Sequence, residues 1–266
     1  MSELEHLQSV ILSIMKDIDR ICQKNGIQYY LLGGSAIGAI RHHGFIPWDD
    51  DLDIIMDNAN YERFLSVCKT ELDPQKYALQ EGLKDWSLYF SKVRLLGTRL
   101  EERSAYTDNP AFQGIYVDVF KMDNVSNTKL IAMWQYFCGK VFLCYQLLTR
   151  SDKKKGFSFK KRLMMGMAFP LKIGSVRQFF QRQVERYNHK ETDYLGFFYG
   201  RTKYRTAIVK KSVFGKPIRV PFEDTELPVA EHYHEYLTQM FGDYMTPPPV
   251  EQQKSLHLTK VEFGDY

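Results

Sequence analysis

Cysteine is scarce in this chain. The four present, Cys22, Cys68, Cys138 and Cys144, form no Cys-x-x-Cys pair and no disulfide ladder. That excludes a zinc ribbon and a small cross-linked scaffold, and fits free thiols packed in a core. A clean apolar run of membrane-spanning length is also missing. The nearest candidate, "IAMWQYFCGKVFLCYQLL" (131–148), is interrupted by Gln135, Lys140 and Gln146, which argues against a spanning helix. The first residues, "MSELEHLQSVILSIMKDI", carry Glu3 and Glu5 where a signal peptide needs bases, so a cytoplasmic protein is expected. Excess charge of one sign is lacking as well. A net charge of +4 gives no reason to expect nucleic acid as a partner, and any basic surface must be local. Internal repeats and long low-complexity linkers are absent.

What is present suits a globular protein: 44% hydrophobic residues, 26% charged and a high aromatic share of 14% over 266 residues. The order of patterns predicts an α/β (α+β) fold, a mixed sheet core with flanking helices and a helical insertion. We expect one catalytic unit over 1–266. It divides into a core at 1–125, a basic and aromatic helical addition at 126–190, and a segment at 191–266 that packs on the core.

Residues 3–24 place Leu4, Leu7, Val10, Ile11, Ile14, Met15, Ile18 and Ile21 on one stripe, the spacing of an amphipathic helix. Asn25-Gly26 ends it. "IQYYLL" (27–32) predicts a buried strand that runs into Gly33-Gly34, and Ser35 is a candidate cap for a short helix over 36–41. "DLDIIM" (51–56) predicts a second strand and 59–72 a helix. Further strands are expected in "KYALQEG", "SLYFSKVRLLGTRLEE" and "GIYVDVFKMD". Residues 127–190 read as helical without a convincing strand, and the last part mixes "FGKPIRVPF", the helical "AEHYHEYLTQMF" and a Pro-rich tail.

The densest chemistry is in "GGSAIGAIRHHGFIPWDDDLDIIM" (33–56). Residues i and i+2 of a strand share a face roughly 6 to 7 Å apart, so Asp51 and Asp53 are expected side by side while Leu52 and Ile54 enter the core. Two carboxylates so placed call for a cation, and a hard dication such as Mg²⁺ (or Mn²⁺) held between carboxylates and phosphate oxygens meets that demand. An EF-hand is excluded, because after Asp51-Leu52-Asp53 the chain runs on as Ile54-Ile55 and the required glycine is missing. Asp49 and Asp50 are read as solvated turn residues with a supporting role. Asp118, alone among apolar residues in "YVDVF", is the expected third carboxylate, as ligand or as general base. Gly33, Gly34 and Ser35 at a strand-to-helix turn let a phosphate approach backbone N–H groups at a helix start. Lys92 and Arg94, alternate strand residues, either meet remaining phosphate charge or lie on an ordinary solvated face. Arg41 either contributes to that site or complements its helix's C-terminal dipole. Trp48 could stack on a base, box a quaternary ammonium or simply pack.

These residues resemble the nucleotidyltransferase fold and, more narrowly, the LicD family, to which the fukutin-related proteins are allied. The similar segments are 33–54, 114–123 and 220–249, in order and nearly end to end. The resemblance implies transfer of a phospho-alcohol, most commonly phosphocholine from CDP-choline, to a sugar hydroxyl of a lipid-linked or polymeric cell-surface glycan or teichoic acid precursor, with release of CMP. Relatives use CDP-glycerol or CDP-ribitol. It carries the metal-ligand role to Asp51 and Asp53, the third-carboxylate role to Asp118, and a site position to His257 near the C-terminus. Lys121 stands where the family usually has Pro, and Ser35 where Thr is common. An alternative is a nucleotidyltransferase that moves NMP from an NTP. Finally, "RSDKKKGFSFKKR" (150–162) sets seven bases against one acid beside the apolar "LMMGMAFPL", so 150–172 is expected to touch the inner face of an anionic membrane, or else to be a solvated helical face.

Overall fold

A computed structural model of the chain describes residues 1–85, 88–101, 109–149, 163, 166, 169–198, 202–255 and 260–266. They fall into two compact units: Met1–Trp86, Phe90–Lys121 and Ser212–Tyr266 in the first, Ser87–Tyr89 and Met122–Lys211 in the second. The architecture is mixed α+β, as the pattern of elements predicts.

In the first unit, helix α1 (Glu3–Lys24) starts at a capping box. The Ser2 hydroxyl accepts from the Glu5 N–H at 3.2 Å and the Glu5 carboxylate accepts from the Ser2 N–H at 2.7 Å, so two amides with no partner in the helix are satisfied reciprocally. Its apolar stripe, from Leu7 to Cys22, is buried. Strand β1 (Tyr30–Leu31) is shorter than expected, because Ile27 N–H turns back to the Cys22 carbonyl. Helix α2 (Gly33–His42) follows directly. β2 (Asp53–Asp57) leads into α3 (Asn58–Glu71), whose N-terminus is capped by the Asp57 carboxylate. β3 (Tyr77–Gln80), β4 (Ser91–Leu95), β5 (Arg99–Leu100) and β6 (from Tyr116, ending at Val125) come next. Within this unit the main sheet has the order β1-β2-β6-β4-β3. β4 is therefore internal, and all five of its residues are buried. β9 (Ile218–Phe222) and β10 (Thr225–Val229) form an antiparallel hairpin in which Phe222 faces Thr225. β10 has no counterpart among the strands expected from sequence.

One part of the hairpin is tied firmly to α1. Arg219 donates twice to the buried Asp19, at 3.0 and 2.8 Å, and Asp19 also accepts from the Tyr29 hydroxyl at 2.6 Å and from Gln23 at 2.7 Å. A buried carboxylate with four donors is well compensated.

In the second unit, the end of β6 pairs through Asp123–Val125 with β7 (Tyr194–Gly196), which pairs with β8 (Ile208–Lys210). Helices α4 (Lys129–Thr149) and α5 (Gly174–Glu185) account for the expected helical stretch, and no strand appears in it among the described residues. Gln135 is fully buried and satisfied: its amide donates to the Asn124 and Val184 carbonyls and its oxygen accepts from Ser126 N–H. Cys22, Cys68 and Cys138 are buried free thiols. Among the described residues no helix is long and apolar enough to cross a membrane.

Candidate active site

The site is built where α2 begins, where β2 begins and where β6 passes. Gly33 opens α2 with φ +57, a left-handed conformation that glycine adopts without strain. A Cβ on Gly34 would lie 2.6 Å from Asp49 Oδ2, so the absent side chain is what lets the Asp49 carboxylate rest against the start of the helix. A carboxylate is favoured there by the helix dipole. Ser35 does not cap α2. The helix starts earlier, from Leu32, and the Ser35 hydroxyl accepts from the Asp53 N–H at 2.9 Å, fixing the first residue of β2.

The strand starts at Asp53, not Asp51, so residues 49–51 form a loop in which three consecutive side chains can converge. One carboxylate oxygen from each of Asp49, Asp50 and Asp51 lies within 4.8 Å of the others. The expectation of a solvated turn residue fails for Asp50, while Asp49 is half-buried. Asp50 is 2% exposed and accepts from the Ser255 hydroxyl at 2.9 Å. The Asp49 carbonyl accepts from Gln8 of α1 at 2.8 Å, which anchors the loop from below. Burial, then the charges of Asp51 and Asp50, push the Asp49 carboxyl up to about 7. Asp53 is also raised well above the usual carboxylate range, first by burial and then by Asp51, Asp118 and Asp49, with Lys92 opposing. Its Oδ1 is buried without a hydrogen-bond partner among the described residues. Leu52 and Ile54 are in the core as expected.

Asp118 reaches the same place from β6. Its N–H bonds the Leu52 carbonyl at 3.1 Å, and it faces Lys92 of β4 in register. Lys92 Nζ lies 2.8 Å from Asp118 Oδ1 and 3.1 Å from the centroid of the Tyr116 ring. Neither Lys92 nor Arg94 is on a solvated face; both are 1% exposed. Arg94 donates to Gln80 at 2.8 Å and to the Gly114 carbonyl at 2.9 Å. Lys92 thus borders the acidic group, whereas the bonds of Arg94 run to β3 and to the chain before β6.

Around the rim, Arg41 donates to His42 and to the Tyr244 carbonyl. The His42 ring meets the half-exposed Trp48 edge-on at 6.2 Å. Burial and the Arg41 charge lower the His42 pKa, which favours the neutral ring. Tyr236 belongs to helix α6 (Tyr233–Phe241) and carries no motif that sequence reading could have singled out. Its buried phenol is pushed up by burial and by Asp53, while a hydrogen bond from Gly33 N–H opposes them. Ser255 and Tyr236 are the additions that only the three-dimensional arrangement reveals. His257 and the basic segment 150–162 lie outside the described residues.

An all-oxygen set of closely spaced carboxylates, one of them with a buried oxygen lacking a donor, suits a hard divalent cation and not a soft one. The residues present fit such an ion.

Comparison with known proteins agrees with the geometry. Residues 26–144 match the family model described as LicD/FKTN/FKRP, nucleotidyltransferase domain. The chain is 31% identical over 267 aligned residues, 97% of each chain, to the lipopolysaccharide cholinephosphotransferase LicD of Haemophilus influenzae. Two uncharacterized proteins, from Rickettsia prowazekii and Rickettsia typhi, are each 48% identical over stretches amounting to 21% of this chain, and those matches cover 28% and 19% of the two relatives. A phosphotransferase-type acidic site on a mixed α+β core is the class that emerges. The chain belongs to the LicD family.

Proposed function

We propose that this chain transfers a phospho-alcohol, with phosphocholine as first candidate, from a CDP-alcohol to a sugar hydroxyl of a cell-surface glycan precursor such as a lipopolysaccharide or teichoic acid, releasing CMP. The observation that carries the reading is the convergence of Asp49, Asp50 and Asp51 beside Asp53 and Asp118, in a chain alike over 97% of its length to a cholinephosphotransferase.

A Mg²⁺ or Mn²⁺ ion bound there would neutralise the crowded carboxylates and the donor's diphosphate together. Asp51 and Asp53 would hold it, with Asp49 and Asp50 close enough to complete the set. Gly33, Gly34 and Ser35 shape the turn against which the phosphates rest, and Tyr236 holds Gly33 in place. Asp118, oriented by Lys92, takes the proton of the attacking sugar hydroxyl. Lys92 supplies positive charge near the reacting phosphate, and Arg94 steadies its strand. Trp48 offers a ring to the quaternary ammonium or the cytosine, with Arg41 and His42 behind it. His257 is assigned to the same site through the family alone. Because phosphoryl transfer is chiefly positioning and charge stabilisation, this inventory is sufficient.

Incubation with Mg²⁺, a glycan acceptor and labelled CDP-choline, CDP-glycerol or CTP tests the reading. Label from a CDP-alcohol should move to the glycan with CMP released. Pyrophosphate release from CTP, with no transfer from any CDP-alcohol, would instead make the chain an NMP transferase.

A further inference from the structure

We propose that the outward face of α4, together with the turn and helix that follow it, docks on an anionic lipid bilayer. Helix α4 is apolar on both sides. Its inner face buries Ala132, Gln135, Cys138 and Phe142, whereas Leu130 is 77% exposed, Met133 47%, Trp134 41% and Phe137 53%. Those four positions, at i, i+3, i+4 and i+7, make one continuous stripe.

The stripe continues onto the neighbouring elements of the same unit. The Trp134 indole N–H donates to Gln183 of α5 at 3.3 Å, and Phe179, one turn before Gln183 on the same face, is exposed. Phe169 and Ile173, at the turn ahead of α5, are exposed too. Folded chains seldom leave so many large apolar side chains together on one surface without a use for them.

Charge decides the occupant. Among the described residues of α4, the turn Phe169–Lys172 and α5, the cations are Lys129, Lys140, Lys172, Arg177 and Arg182. The lone acid, Glu185, is half-buried and accepts from Tyr89 and Gln181. Lys172 lies 4.8 Å over the Phe169 ring. By sequence, the seven bases of 150–162 fall between α4 and that turn. Exposed aromatics, an indole with a polar end and elements that carry five cations against one half-buried acid match the headgroup region of an anionic bilayer.

Sedimentation of the full chain with vesicles decides between occupants, using phosphatidylcholine alone or mixed with phosphatidylglycerol. The chain should bind the mixed vesicles, lose binding as salt is raised, and ignore pure phosphatidylcholine. Trp134 emission should shift to the blue on binding, a change missing in Trp134→Phe. The double variant Leu130→Gln/Phe137→Gln should weaken binding at least ~10-fold, which corresponds to about 1.4 kcal/mol. Its circular dichroism and its transfer to a soluble acceptor should be unchanged, because both substituted side chains face outward in this unit. Equal sedimentation of variant and wild type, or equal binding to uncharged vesicles, overturns the proposal. So does a dimer in solution that the double variant abolishes, with no vesicle binding by wild type.

Discussion

Replacing Asp53 with Asn should stabilise the metal-free protein while removing its activity. Asp53 sits at the start of β2, with its Oδ1 buried and lacking a hydrogen-bond donor among the described residues, and with burial and then Asp51, Asp118 and Asp49 raising its pKa. Unit charges about 6 Å apart in an effective dielectric near 20 repel by ~3 kcal/mol, and the attraction of Lys92 cancels part of the sum. Removing the charge, while adding an amide N–H that a neighbouring carboxylate can accept, should therefore gain about 1–3 kcal/mol at pH 8. With a urea dependence of about 2–3 kcal/mol per molar for a chain of this size, the midpoint in EDTA should rise by roughly 0.5–1 M. Mg²⁺ should stabilise wild type and do much less for the variant, and turnover of a CDP-alcohol should fall by about 10²-fold or more. The measurement is urea unfolding in EDTA and in Mg²⁺, beside a transfer assay. A variant less stable than wild type in EDTA, or one that keeps its Mg²⁺ response and its turnover, would refute the assignment of Asp53 to an electrostatically strained cation site.

The Asp49 carboxyl, raised from its usual 3.8 to about 7, binds a proton more tightly when folded than unfolded. Its stabilising effect is complete below about pH 4 and disappears as pH rises through about 7, so the melting temperature in EDTA should fall from pH 5.5 to pH 8 and the gain from Mg²⁺ should be larger at pH 8. Gly34→Ala brings a Cβ to 2.6 Å from Asp49 Oδ2; the displaced loop should cost about 10-fold or more in turnover and diminish the Mg²⁺ response, with little change in circular dichroism. Arg219→Ala takes two of the four donors from Asp19 and should destabilise the protein by about 2–3 kcal/mol in urea, with turnover per folded molecule unchanged.

Much of this was legible before any coordinates. The stripe of α1, the Asn25-Gly26 stop, a strand after the aspartates and the lone Asp118 in "YVDVF" all rest on local periodicity or on the price of burying an unpaired carboxylate, although the strand begins at Asp53 and leaves Asp51 in the loop. What escaped depends on long-range pairing. For Lys92 and Arg94 the sequence leaves open a phosphate-facing role or a solvated strand face, because nothing local says that β4 lies between β3 and β6. Once it does, a buried lysine requires a partner, and register supplies Asp118. Asp49 and Asp50 precede the expected strand, where a solvated turn with a supporting role is locally adequate. The loop is held inward by Gln8 and Ser255, residues 41 and 205 positions away in the chain, and no local pattern encodes that. The β-like stretch "FGKPIRVPF" holds β9, whereas its partner β10, "TELPV", has no local pattern that marks a strand and is defined by pairing with β9.

The same fold shows two ways of burying a carboxylate, and the difference bears on function. Asp19 is surrounded by donors, so its charge is balanced by Arg219, Tyr29 and Gln23 without any ligand. At the start of β2, carboxylates crowd together: Asp49 is raised by burial and then by Asp51 and Asp50, and Asp53 by burial and then by Asp51, Asp118 and Asp49, with Lys92 opposing. A chain that can compensate one buried acid so fully has no structural need to crowd the others. Glycine at position 34 sharpens the point, since any larger residue would push Asp49 away from the crowd. Carboxylates crowded in this way repel one another, and under the function proposed above a bound divalent cation would relieve that repulsion.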